Sequence, residues 1–154
     1  MIDTKKYSVT AIGNAMLDLV CEVPDQFLRQ EQISKGVMNL VSRERSNNIL
    51  KLVRPIKETA GGSAANTIST LAKLGLKTGY IGKIADDSKG KIFKKDMLDN
   101  SIFYNTDFLD KGYTETTGKC IVLITPDKER TMNTYCLLYT SPSPRDQRGS
   151  RVAA

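Results

Sequence analysis

The sequence has 154 residues and a net charge of +6, is 40% apolar and 26% charged, and contains no histidine. That length suits one modest domain with its own core. No stretch approaches the roughly 18 apolar residues of a membrane span, and the absence of histidine excludes a His-ligated metal site or a Ser-His or Cys-His nucleophile pair within this chain.

The opening MIDTKKYSVTAIGNAM has no apolar run of signal-peptide length. The three cysteines, Cys21, Cys120 and Cys136, are far apart in sequence. Both features point to a reduced, cytoplasmic setting rather than a disulfide framework. The basic pairs at 5–6, 43–45, 89–91 and 94–95 are scattered and carry no interleaved aromatics. They read as solvated helix faces, so no nucleic-acid partner and no membrane are expected.

In chain order, residues 7–13 have the short apolar character of a strand ended by Gly13. Residues 17–23 alternate with period two, placing Leu17, Leu19, Cys21 and Val23 on one face and Asp18 and Glu22 on the other. Pro24-Asp25 breaks that strand, a short polar helix follows near 25–31, and 36–41 read as a further strand. Ser42 is an N-cap for a helix to about Val53, with Arg45, Ile49, Leu52 and Val53 on one side and Pro55 ending it. Residues 63–74 form a helix with Ala64, Ile68, Leu71 and Ala72 inward and Gly75 at the C′ position. A strand spans 78–84, and Asp87 or Ser88 caps a helix to about Asn100 that buries Ile92, Phe93 and Met97. Residues 102–104 are a short strand, and GKCIVLIT-PDKE-RTMNTY reads as a β-hairpin. Strands alternating with helices predict an α/β fold with a mainly parallel sheet, and the strands with no helix between them predict a small second sheet attached to it.

Two segments carry chemistry. GGSAANT, at 61–67, places Gly61-Gly62 immediately before a helix, where backbone N–H groups are free and the helix dipole is positive. Asn66 follows one turn later on the exposed side, with an amide able to donate and accept toward a polyhydroxylated ligand. Taken alone, the segment also reads as a tight turn whose small residues pack a helix against a sheet. It is neither a P-loop nor G-x-G-x-x-G. The second segment, GNAMLD, puts Asn14 and Asp18 just past the first strand, where open α/β sheets bind ligands. A carboxylate there can accept from two hydroxyls of a diol, or serve as a structural or surface group. A dinucleotide-binding domain would need G-x-G-x-x-G at this place, and the chain has G-N-A-M-L-D.

GNAMLDLV, GGSAANTISTLAKLG, GYIGKIADDSKGKIFKKDM and PDKERTMNTY, in that order and spacing, resemble the N-terminal half of a PfkB-type carbohydrate kinase of the ribokinase superfamily, closest to its adenosine-kinase-like branch. The likeness runs over residues 7–135. It implies a ribokinase-like doubly wound α/β core with a small β-sheet lid. It implies that Asp18, Gly62 and Asn66 hold sugar hydroxyls, that Asn14 and Gly61 line the same pocket, and that Ser63 touches the base if the substrate is a nucleoside. Lid strands around Met38–Leu40 and Ile121–Ile124 would close over the substrate. The implied reaction is phosphoryl transfer from ATP, with Mg2+, to a primary hydroxyl of a small-molecule sugar or nucleoside, adenosine first and a ribose- or fructose-like sugar second. The alternative is a nucleoside- or sugar-binding protein without catalysis.

The family's general-base aspartate lies in a G-A-G-D-like motif, and no such motif occurs in the 154 residues. The catalytic aspartate and the ATP site are therefore expected in a C-terminal half, and the 154-residue chain alone is expected to be inactive and poorly soluble or molten. Residues 136–154, CLLYTSPSPRDQRGSRVAA, differ in kind from what precedes them. Back-translated, residues 136–146 resemble the transposase adapter of sequencing libraries, so residues 1–135 are read as the kinase portion and 136–154 as adapter read-through.

Overall fold

A computed structural model describes residues 7–109 and 115–136. The lysine pair at 5–6 and the tail from residue 137 lie outside the described residues. The elements are β1 (Val9–Ile12), β2 (Met16–Glu22), α1 (Asp25–Gln30), β3 (Met38–Leu40), α2 (Arg43–Leu52), β4 (Lys57–Gly61), α3 (Ser63–Lys73), β5 (Thr78–Ile81), α4 (Ser88–Asp99), β6 (Gly118–Ile124) and β7 (Arg130–Tyr135).

Local chemistry sets the helix ends. The Ser42 hydroxyl accepts from the Arg45 amide at 3.1 Å and opens α2, and Asp87, rather than Ser88, caps α4 by accepting from the Gly90 amide at 2.7 Å. Helix α3 ends in a Schellman motif: Gly75 has φ +87°, its N–H donates to Ala72 O, and Leu76 N–H donates to Leu71 O. The inward face of α3 differs slightly from the expectation. Ala65 and Ile68 are fully buried, while Ala64, Leu71 and Ala72 pack partly buried around them. In α2, Ile49 is buried as expected, but Leu52, at the last helical position, is exposed.

The strands form two sheets. β1 and β5 pair in parallel, Val9 with Thr78 through Ile12 with Ile81. The other five run in the order β3-β7-β6-β2-β4, with β2–β6 and β3–β7 parallel and β2–β4 and β6–β7 antiparallel. The sheet expected as a small attachment is thus the larger one among the described residues. β4 has no apolar alternation in its sequence, KETAG, and is an edge strand whose first two residues are exposed. The expected strand at 102–104 reduces to a single bridge from Phe103 to Gly79.

Two cores result. One joins β1 and β5 to α3 and α4 through Ile68, Tyr80, Ile84, Phe93, Met97 and Tyr104, with the three aromatic rings 5.7–6.0 Å apart in tilted and edge-on contacts. The other packs Leu17, Leu19, Cys21, Ile121 and Leu123 from one face of the larger sheet against Leu28 of α1 and Ile49 of α2. Lys119 sits in β6 at 4% exposure, its Nζ donating to Asn47 Oδ1 at 2.6 Å and lying 5.6 Å over the Tyr135 ring. Burial, then the nearby Lys89 and Arg43 charges, pull its ammonium below the ordinary lysine value. Among the described residues, no helix is long and apolar enough to cross a membrane.

Candidate functional site

Period two on β2 sends Leu17, Leu19 and Cys21 into the core and Met16, Asp18 and Val20 to the opposite face. Asp18 therefore stands on the face that α1 and α2 do not cover. Its Cα partners are Thr59 on β4 and Cys120 on β6. Next along the ladder, Met16 faces Gly61, which brings the last residue of β4 against the start of β2.

That pairing explains the two glycines by different means. A Cβ on Gly61 would overlap both oxygens and the Cγ of the Asp18 carboxylate. Only a residue without a side chain lets the carboxylate lie flat on this backbone. Gly62, the N-cap of α3, has φ +97°, and a Cβ there would come within 2.9 Å of the Asn14 carbonyl oxygen. Gly13 makes the matching approach from the other side, since a Cβ on it would lie 2.7 Å from the Ala64 Cβ. The loop carrying Asn14 is thereby clamped against the start of α3.

The structure brings Asn14, Asp18, Gly61 and Gly62 together. Ser63 and Asn66 lie on the exposed side of the first turns of α3; the Asn66 backbone N–H donates to Gly62 O at 2.9 Å, and neither side chain bonds to Asp18. Burial holds the Asp18 carboxyl above the ordinary aspartate value. Among the described residues no donor bonds to that half-buried carboxylate, which leaves its oxygens available to water or to the hydroxyls of a ligand.

Register adds residues that alternation in single strands did not reveal. Cys120 of β6 and Thr134 of β7 are partners across the hairpin, and the Thr134 hydroxyl donates to Cys120 Sγ at 3.4 Å. Asp18, Cys120 and Thr134 thus form a row across three strands. Of the run 121–124, Val122 and Ile124 share the Asp18 face, whereas Ile121 and Leu123 turn into the core. Met38, Leu40 and Met132 extend this face and are 56%, 76% and 38% exposed. Among the described residues no group of three or more His, Cys, Asp or Glu converges on a point, so none is assigned to Mg2+.

The model of the pfkB family carbohydrate kinases matches residues 8–136. The chain belongs to that family. A 5-dehydro-2-deoxygluconokinase of Listeria innocua is 43% identical over 82 residues, which cover 49% of this chain and 24% of that protein. Among solved structures, an adenosine kinase from Sinorhizobium meliloti superimposes with a TM-score of 0.80 at 37% identity, covering 92% of this chain and 43% of that one. A probable sugar kinase from Rhizobium etli follows at TM-score 0.76 and 37% identity, over 84% of this chain and 38% of its own. The chain therefore matches about a quarter of the curated relative's length and less than half of each solved kinase. For this family member the described residues hold the ribokinase-like fold, with the five-stranded sheet set beside the parallel pair.

Proposed function

We propose that this chain carries the acceptor-binding part of an ATP-dependent kinase that phosphorylates a primary hydroxyl of a sugar or nucleoside. The observation that carries the reading is the Asp18 carboxylate: half-buried, without a protein donor, and laid on a backbone that tolerates no side chain. Two acceptor oxygens in that state suit a pair of vicinal hydroxyls. The first turn of α3, entered through Gly62, offers free N–H groups beside them, and Asn14 and Asn66 flank the same turn. Ser63 would meet the base of a nucleoside.

Adenosine is the first acceptor to test, supported by the likeness to the S. meliloti enzyme over most of this chain. A sugar acid such as 5-dehydro-2-deoxygluconate is the second, supported by the 43% identity to the Listeria protein. ATP with Mg2+ would supply the phosphoryl group. No residue of this chain is assigned to either, and no G-x-G-D aspartate occurs in it. The two packed cores favour a folded 154-residue chain over the molten one expected from the sequence, so the chain by itself is proposed to fold and bind acceptor without turning over ATP. A cooperative thermal transition tests the folding, and its absence refutes it.

Calorimetric titration with adenosine and with the sugar acid tests the reading. Saturable binding of one of them, abolished in Asp18→Asn, supports it; equal binding by wild type and Asp18→Asn overturns it. ATP hydrolysis coupled to acceptor phosphorylation by the chain alone would refute the proposal that it is inactive. The assignment of residues 136–154 to adapter sequence is tested by re-reading the source DNA without a transposase step. A frame that continues past Tyr135 into a G-x-G-D motif supports it, and genomic DNA encoding CLLYTSPSPRD refutes it.

A further inference from the structure

We propose that Asp96, on the last turns of α4, is a positioning residue for the acceptor site: it fixes the end of β4, and through it the Gly61 backbone on which Asp18 rests. The inference rests on the acceptor-binding reading above.

β4 is an edge strand with β2 as its ladder partner. Alternation along an antiparallel ladder points every second N–H away from the partner strand. At Ala60 that outward N–H is met by Asp96 Oδ2, at 2.7 Å. The same oxygen accepts from the Thr59 hydroxyl at 3.0 Å. The other oxygen, Oδ1, accepts from Asn100 Nδ2 at 3.1 Å, and that amide also donates to the Asp96 carbonyl at 2.8 Å. One carboxylate therefore ties two consecutive residues of β4 to α4, directly before Gly61-Gly62. A structural salt bridge is not its purpose: among the described residues no lysine or arginine lies within ion-pair distance of Asp96.

The consequence follows from geometry. Thr59 is the Cα partner of Asp18, and Ala60 precedes the glycine under its carboxylate. Without Asp96 the outer edge of β4 loses both side-chain bonds, and only the ladder to β2 and the packing of Ala60 in the first core hold the strand. Gly61 can then lift from Asp18, more water reaches the half-buried carboxylate, and the acceptor hydroxyls lose a defined partner.

The test compares Asp96→Ala, Asp96→Asn and a control, Ser42→Ala, which removes the α2 cap far from the site. Asn keeps one oxygen for Ala60 and Thr59; Ala keeps none. Two readouts are taken on the 154-residue chain: the Asp18 carboxyl titration by carbon NMR, and calorimetric affinity for adenosine. Asp96→Ala is expected to lower the Asp18 midpoint toward the ordinary aspartate value and to weaken adenosine binding about tenfold, the scale of losing a charge-assisted hydrogen bond. Asp96→Asn restores both to near wild type, and Ser42→Ala moves neither. An unchanged Asp18 midpoint in Asp96→Ala, with only the kind of destabilisation Ser42→Ala shows, overturns the proposal. A midpoint that moves while wild-type chain binds no adenosine supports the positioning role and counts against adenosine as acceptor.

Discussion

The two faces of the five-stranded sheet are built by the same strands and differ in everything else. On one face Leu17, Leu19, Cys21, Ile121 and Leu123 meet α1 and α2 and are fully buried. On the other, one residue along in each strand, Asp18, Cys120 and Thr134 form a polar row among Met38, Leu40 and Met132, which stay largely exposed. A one-residue step along a strand exchanges core for site because the side-chain period is two. The lesson is a division of labour: one face supplies most of the apolar burial that drives folding, and the other leaves the half-buried Asp18 carboxylate without a protein donor and open to a ligand.

The largest break in that comparison comes from the closed face. Leu19→Ala removes a fully buried side chain from the second core and is expected to cost about 3 kcal/mol of stability, read as a lower denaturant midpoint. Acceptor affinity should persist wherever the variant remains folded.

Gly61→Ala probes the boundary between the faces. The new methyl collides with the Asp18 carboxylate, the end of a side chain that can rotate, rather than with backbone. The stability cost is expected near 1 kcal/mol, whereas acceptor affinity should fall at least tenfold on calorimetric titration as Asp18 leaves its place.

Asp18→Asn should leave stability within about 0.5 kcal/mol at neutral pH while abolishing acceptor binding. The pH dependence sharpens the contrast. The folded Asp18 carboxyl titrates above its unfolded value because burial disfavours the charge. The folded state then binds the proton more tightly, so this group's contribution is fully present below the unfolded midpoint and is lost as pH rises through the folded one. Wild type minus Asp18→Asn stability should therefore decline with rising pH across that window, and the difference should be flat above it.

The smallest effect has the opposite sign. Asp127, at the exposed hairpin turn, accepts from Lys35 at 2.5 Å and from Thr125 at 2.6 Å, and Lys35 holds its carboxyl down to about 2. Its contribution is present above the unfolded aspartate midpoint and is lost as pH falls through about 2. Asp127→Asn should remove part of the acid-induced loss of stability without touching acceptor affinity, measured by acid unfolding in low salt, and added salt should shrink the effect because the ion pair is exposed.

Much of this was legible in the sequence. The alternation of Leu17, Leu19 and Cys21 around Asp18, the caps at Ser42 and Asp87, Gly75 at the end of α3, and the Gly61-Gly62 start of that helix all depend on near neighbours in the chain. Propensity, period and capping chemistry act over a few residues, so those features can be read there.

What only the tertiary structure decided involves partners far apart in sequence. KETAG becomes a strand because β2 lends it a ladder and Asp96 meets its outward N–H. IFY, with the right local character, forms one bridge because its partner is Gly79 alone among the described residues. Lys119 is buried, against its usual place at a surface, because its register on β6 sets it beside Asn47 and Tyr135. The row of Asp18, Cys120 and Thr134 joins residues about a hundred positions apart. Register between distant strands is set by burial of the whole sheet face at once, a sum over many contacts that no single segment contains. Local sequence therefore determined which residues could form the site, and packing decided which of them stand side by side.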